Sequence, residues 1–279
     1  MSQRWILLLA AVSLIALGCK GAGEPAGADP GGPPPAPVDG FPSSMIALGD
    51  SITAAFGSCL SPTSCPRNSW STGDGTQVNS HYRRILRANP AIKDREVNLA
   101  VPGARISDLN GQAEAAVKKP ADYITILIGG NDACSGEMTA PNVFRAQLDG
   151  ALEVLRKGFP KSQVLIVGIP NVFRVWEIGH TNKLALGVWK SGVCPNLLGN
   201  ATSTAPADVA RRNAFRDRIS AYNHELAGAC AGYGSRCRYD DVSTFAFEFT
   251  MLSAIDFFHP NASGQNALAD QTYPDSFTW

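Results

Sequence analysis

The sequence predicts an α/β fold: a doubly wound, mainly parallel sheet flanked by helices in three layers. Three observations carry this reading. Four short runs, at 45–48, 97–101, 123–128 and 164–169, are apolar continuously instead of in alternation, as strands covered on both faces are. Helical patterns lie between and after them. The polar residues that could carry chemistry cluster where those strands end, the edge at which such sheets bind ligands.

Each element has its own local reason. The first run begins at Met45 and stops on Gly49-Asp50-Ser51, which would leave a serine hydroxyl at the carboxyl edge with helix-compatible residues after it. A helix over 78–88 carries Tyr82, Ile85 and Leu86 among basic residues, and another over 106–118 is ended by Pro120. Residues 142–157 place Val143, Leu148, Leu152 and Leu155 near one face before Gly158. The longest helix, 207–231, spaces Phe215, Ile219, Tyr222 and Leu226 helically, and a last one covers 263–271. A fifth, weaker strand is expected near 241–246. Internal repeats are absent.

The chain has 279 residues and a formal charge of zero, so it has no electrostatic footprint for nucleic acid. Residues 1–19 read as a signal peptide: one basic residue, an apolar run at 5–17 too short to span a bilayer, then Gly18-Cys19. A cysteine there suggests lipidation of Cys19. Ala16 occupies the position three before it, where lipoprotein signals usually carry leucine, which leaves ordinary cleavage open. Residues 20–42 are rich in Gly, Ala and Pro and read as a disordered spacer, leaving 43–279 as the folded domain. The chain is expected to be exported, either as a cell-envelope lipoprotein or secreted, to work as a monomer, and to touch a membrane only through that anchor. Of seven cysteines, six remain once Cys19 is set aside. Proximity favours disulfides Cys59–Cys65 and Cys230–Cys237, leaving Cys134–Cys194, and no spacing suits a metal.

Four polar blocks then stand out. Gly49-Asp50-Ser51 offers a nucleophile, although the tripeptide also suits an ordinary turn. After the second strand, Gly103 could bring a backbone N–H close to a ligand, or simply turn the chain. Ile128-Gly129-Gly130-Asn131-Asp132 could aim the Asn131 amide at a developing oxyanion, or use Asn131 as a cap. In Asp256-Phe257-Phe258-His259-Pro260, a carboxylate three residues before a histidine can reach back to its ring and hold its tautomer. Pro260 biases His259 toward a loop. His81, His180 and His224 have no such partner and read as surface or packing residues.

In this order the blocks resemble the SGNH (GDSL) hydrolase family, and together with Ser69-Trp70-Ser71-Thr72-Gly73 and Asn98-x-Ala100-x-x-Gly103-Ala104 they are similar to its phospholipase B-like branch of secreted lipases and esterases. Pro102 departs from the small polar residue common there. The resemblance runs from Met45 to about Asp270. It implies a carboxylic ester hydrolase with Ser51 as nucleophile, His259 as base and Asp256 as orienting acid. The N–H groups of Ser51 and Gly103 and the side chain of Asn131 would form the oxyanion hole, with no cofactor or metal. Asp50 is expected to shape the turn that presents Ser51. Phospholipid or lysophospholipid acyl esters are the expected substrates. Trp70, Trp176 and Trp189, with Phe173 and Val175, lie in segments that read as loops and could form a substrate-binding apolar groove or small local cores pinned by the disulfides. Carbohydrate O-acetyl esters are the alternative, and a non-catalytic surface lipoprotein on a hydrolase scaffold is the alternative from another class.

Overall fold

The computed structural model describes residues 35–134 and 136–279. The expected signal peptide, Cys19 and residues 20–34 of the spacer lie outside the described residues. Five strands form one parallel sheet: β1 (Met45–Gly49), β2 (Glu96–Asn98), β3 (Tyr123–Leu127), β4 (Gln163–Val167) and β5 (Cys237–Asp240), in the order β2-β1-β3-β4-β5. The chain leaves β1 toward β2 on one side and returns to β3 on the other. The carboxyl ends of β1 and β3 therefore flank the point where strand order reverses, the usual ligand crevice of an open parallel sheet.

The continuous apolar runs are explained by cover on both faces. Ile46, Leu48, Ile124, Ile126, Val164 and Ile166 pack under α2 (Leu109–Ala116), α4 (Pro141–Gly158) and α8 (Pro206–Tyr233). Met45, Tyr123, Leu127, Leu165 and Val167 point the other way, toward Trp70, α1 (His81–Ala88) and α9 (Ala262–Thr272). The edge strands β2 and β5 are short and only half-buried, which limits the unpaired edge they present. Proline starts both long helices, where a missing N–H costs nothing. The expected apolar residues of α8, Phe215, Ile219, Tyr222 and Leu226, are all buried.

Several expectations are corrected. The fifth strand lies at Cys237–Asp240, just before the predicted stretch, because Arg238 to Asp240 pair with β4 while the chain after Asp241 turns away. Residues 51–59 form successive turns instead of a helix: Phe56 donates back to the Ser51 carbonyl, and Ala55 takes a left-handed φ of 52°. The stretch read as aromatic loops is helical, as α5 (Phe173–Gly179), α6 (Lys183–Trp189) and α7 (Pro195–Leu198). Residues 38–42 are tied to the domain, since Asn89 donates to the Phe41 and Pro42 carbonyls and accepts from the Val38 N–H. The spacer thus ends before residue 38. All three expected disulfides form, Cys59–Cys65, Cys134–Cys194 and Cys230–Cys237.

Gly49 is the tightest point of the sheet. Its φ is 142°, and a Cβ there would sit 2.1 Å from the Leu127 carbonyl oxygen. Gly49→Ala is therefore expected to lose about 2–4 kcal/mol from backbone strain and overpacking together. Urea denaturation would measure it, and a loss below about 1 kcal/mol would mean that β1 and β3 can part without penalty.

Candidate active site

Ser51 leaves the sheet two residues after β1 ends. The turn that presents it is shaped by Asp50, whose Oδ1 accepts the Ile52 N–H at 3.0 Å while its own N–H donates to the Leu127 carbonyl. Beneath it, Gln112 of α2 grips the Gly49 peptide from both sides. The Gly49 N–H donates to Gln112 Oε1, and Gln112 Nε2 donates to the Gly49 carbonyl, both at 2.8 Å. Gln265 of α9 ties the other side by accepting the Trp70 N–H and donating to the Ile52 carbonyl. Neither glutamine was visible in the motif blocks, because each acts from another helix more than sixty residues away in the chain or two hundred.

The Ser51 hydroxyl lies 2.8 Å from His259 Nε2, and His259 Nδ1 lies 2.6 Å from Asp256 Oδ2. The second Asp256 oxygen accepts the backbone N–H groups of Phe258 and His259, each at 2.9 Å. The spacing of three works through this turn, with Phe257 left-handed at φ 52°, and not through a helical face. The loop is braced from several directions. The Ser253 N–H donates to the His259 carbonyl, Ser253 Oγ donates to the Gly57 carbonyl, and Trp189 of α6 donates its indole N–H to the Asp256 carbonyl at 3.1 Å. Asn261 then caps α9 by accepting the Gly264 N–H. Phe56 and Phe258 flank the imidazole, with ring centres 5.0 and 5.1 Å away.

Asn131 sits in α3 (Gly130–Cys134), the short helix after β3. Its Nδ2 donates to the Ala104 carbonyl at 3.0 Å. An amide nitrogen carries two hydrogens, so this bond fixes the side chain and leaves one donor available. Ala104 follows Gly103, whose φ of 83° suits glycine. The two blocks expected to supply oxyanion donors are thus bonded to each other. Asp132 reinforces the link by accepting the Ile106 N–H and the Thr139 hydroxyl. α3 is held from behind by the Cys134–Cys194 disulfide and by Asn196, which donates to the Ala133 carbonyl.

A cavity of about 30 Å³ opens at this constellation, walled by Ser51, Asn131, Val172, Val175, Phe247 and Phe258 among others. The larger grooves of the surface lie elsewhere; Gly103 borders one of about 540 Å³ together with Val101 and Pro102. The expected substrate aromatics do not line the cavity. Trp70 is fully buried, donates to Thr53 Oγ1 and packs edge-on against His81, so it belongs to the core. Trp176 donates to the Ala201 carbonyl and is covered by the Arg212 guanidinium at 4.6 Å. Phe173 faces a separate groove beside α8. His81 is a packing residue, bonded to Tyr123 and Thr272 and pushed down to about 3 by burial. Among the described residues, no three His, Cys, Asp or Glu side chains gather as a metal site.

Two buried carboxyls here are held in opposite states. Burial raises the Asp256 carboxyl, but its bonds to His259, the histidine charge and the two backbone N–H groups outweigh that and leave it below the ordinary range. Asp50 is raised to about 7, chiefly by burial, against the lowering influence of the Ile52 N–H and of His259. A raised acid holds its proton in the folded state while the unfolded chain has released it. Asp50 therefore costs stability progressively as pH rises from about 4 to 7. Asp50→Asn removes that slope, so its stability relative to the native chain should grow by about 1.4 kcal/mol per pH unit across this window. Urea midpoints at pH 4.5 and 7 test this, and a constant difference would show that Asp50 is ionised throughout.

Comparisons with known proteins place the chain. Residues 47–267 match the model of the GDSL-like Lipase/Acylhydrolase family. The membrane-associated phospholipase B1 of Homo sapiens is 29% identical over 280 aligned residues, covering 81% of this chain and 19% of that protein. The Rattus norvegicus phospholipase B1 is 27% identical over 206 residues, covering 60% of this chain and 14% of the relative. The chain thus spans less than a fifth of the length of these relatives. A solved GDSL-like lipase from Parabacteroides merdae superposes with a TM-score of 0.54 at 15% identity, over 82% of this chain and 92% of that one. A family two carbohydrate esterase from Clostridium thermocellum gives 0.51 at 14% identity, over 85% and 63%. These two likenesses concern the fold. The parallel sheet, its polar strand ends and a family match over most of the length lead to one statement: the chain belongs to the GDSL-like lipase/acylhydrolase family.

Proposed function

We propose that the chain hydrolyses carboxylic esters through an acyl-enzyme on Ser51. The observation that carries this reading is the unbroken hydrogen-bond series from Ser51 Oγ through His259 to Asp256. His259 Nε2 takes the hydroxyl proton as Oγ bonds to the ester carbonyl carbon. The carbonyl oxygen becomes an oxyanion held by the N–H groups of Ser51 and Gly103 and by Asn131 Nδ2. The C–O bond to the alcohol then breaks, and His259 returns the proton to the departing oxygen. Water, deprotonated by the same nitrogen, attacks the acyl carbon, releases the acid and restores Ser51.

Phospholipid or lysophospholipid acyl esters are the first substrate reading, supported by the similarity to phospholipase B1. Esters of short acyl groups, such as O-acetyl groups on sugars, are the second, favoured by the small cavity beside Ser51. Export as a lipoprotein anchored at Cys19, or as a secreted monomer, is supported by the composition of residues 1–19 and by the three disulfides, which persist in oxidising compartments. Mass spectrometry of the mature N-terminus would read the form present.

A fluorophosphonate should label the native chain on Ser51, and Ser51→Ala should abolish both labelling and hydrolysis of p-nitrophenyl esters. Native-like turnover in that variant would end the proposal, and an unlabelled native chain that hydrolyses nothing would restore the non-catalytic scaffold. Asn131→Ala should lower kcat by about 10²–10³ with little change in KM. A change confined to KM would remove Asn131 from the oxyanion hole.

A further inference from the structure

The cavity beside Ser51 has a neighbour. A groove of about 500 Å³ runs between α8 and the segment after β4; Ile169, Phe173 and Phe215 supply apolar wall, and Arg216, Asn223 and Asp241 are among the residues that supply nearly as much polar wall. It contains none of Ser51, Asn131, Asp256 or His259. Val172 lines this groove and also lines the 30 Å³ catalytic cavity, and no other described residue lines both. Val172 is therefore the one lining residue shared by a space that would hold about two water-sized groups and a groove large enough for a hydrocarbon tail.

Val172 is built to stay where it is. It is buried and precedes α5 with helical backbone angles of −63° and −26°. Its N–H donates to the Pro170 carbonyl, the Asn171 N–H donates to the Phe245 carbonyl, and its own carbonyl accepts the Val175 N–H. A β-branched side chain on helical backbone has essentially one χ1 rotamer, so the isopropyl group does not swing aside without moving the backbone.

We propose that Val172 is the specificity-determining residue for acyl length: it closes the acyl cavity, so the native enzyme prefers esters of short acyl groups, acetyl to butyryl, over long-chain lipid esters. This rests on the ester-hydrolase reading of Ser51 and decides between its two substrate classes. The mainly apolar cavity receives the acyl chain, whose methylenes gain from leaving water. Shortening Val172 joins the cavity to the neighbouring groove, where further methylenes find room along Ile169, Phe173 and Phe215. Val175 supplies the contrast, because it is also buried but lines the catalytic cavity and not the groove. Trimming it enlarges the space without opening a path.

The test is kcat/KM for p-nitrophenyl acetate, butyrate and octanoate in the native chain and in Val172→Ala, Val172→Leu and Val175→Ala, with fluorophosphonate labelling of Ser51 reporting a competent site in each. The native chain should favour acetate and butyrate. Val172→Ala should raise the octanoate-to-acetate ratio by about 10-fold or more, the scale on which a pocket senses added methylenes. Val175→Ala should raise the butyrate-to-acetate ratio and leave octanoate behind. Val172→Leu, which adds bulk and keeps the core filled, should lower the butyrate-to-acetate ratio and serves if the alanine variant fails to fold. A native preference for octanoate overturns the proposal. So do unchanged ratios at position 172 in variants that still label and turn over. Absence of labelling and hydrolysis in the native chain would instead remove the ester-hydrolase reading itself.

Discussion

The grip on the Gly49 peptide is the constraint on which the site depends. At the end of β1 the backbone approaches β3 so closely that no side chain fits, and Gln112 satisfies the Gly49 N–H while adding a second donor at its carbonyl. That carbonyl also accepts the Val101 N–H from the block leading to Gly103. One peptide thus fixes the height at which Ser51 leaves the sheet and ties it to the segment that carries a proposed oxyanion donor. A glycine is required by sterics and a primary amide by hydrogen bonding, and neither can be replaced by packing alone.

From that point the remaining parts arrive by separate routes and are bonded to one another, not merely adjacent. β3 delivers Asn131, which bonds to Ala104 beside Gly103. The loop before α9 delivers Asp256 and His259, and it is held by Gly57 from the turns after Ser51 and by Trp189 from α6. The Cys134–Cys194 disulfide joins the Asn131 helix to the segment that leads into α7. Catalytic distances are sensitive to small displacements, so cross-bracing of this kind supplies the positioning that a site built largely on loops would otherwise lack.

The sheet and the helices that cover it could be read from residue types, because burial on two faces writes a continuous apolar run and α8 writes a helical one. The blocks around Ser51, Gly103, Asn131 and His259 could be read because residue type and strand end coincide. What escaped reading depends on tertiary context. β5 carries Arg238 and Asp240, and its pairing with β4 overrides its polar composition. Helices α5 to α7 are short, and their aromatics look like exposed loop residues until Trp176 is seen to be covered by Arg212. Trp70 sits in one of the segments that carry the family resemblance, yet its role is to fill the core against α1. Gln112 and Gln265 carry no motif at all; their importance lies in which carbonyl and N–H they meet.

The charge state of the site follows from the same economy of partners. Among the residues walling the catalytic cavity there is no lysine or arginine. The Asp256 carboxylate keeps its charge through two backbone N–H groups and the imidazole ring, which suits the proposed role of stabilising an imidazolium when Ser51 gives up its proton. Asp50 has a backbone donor and the weaker pull of His259, and burial outweighs both and holds its proton up to about pH 7. A second fixed negative charge next to Ser51 would oppose the oxyanion of the proposed mechanism, whose proposed donors are all neutral. Keeping one carboxyl ionised and its neighbour neutral allows two acids to sit close to Ser51 and His259. The neutral one shapes the turn, and the ionised one holds the imidazole whose proposed role is base.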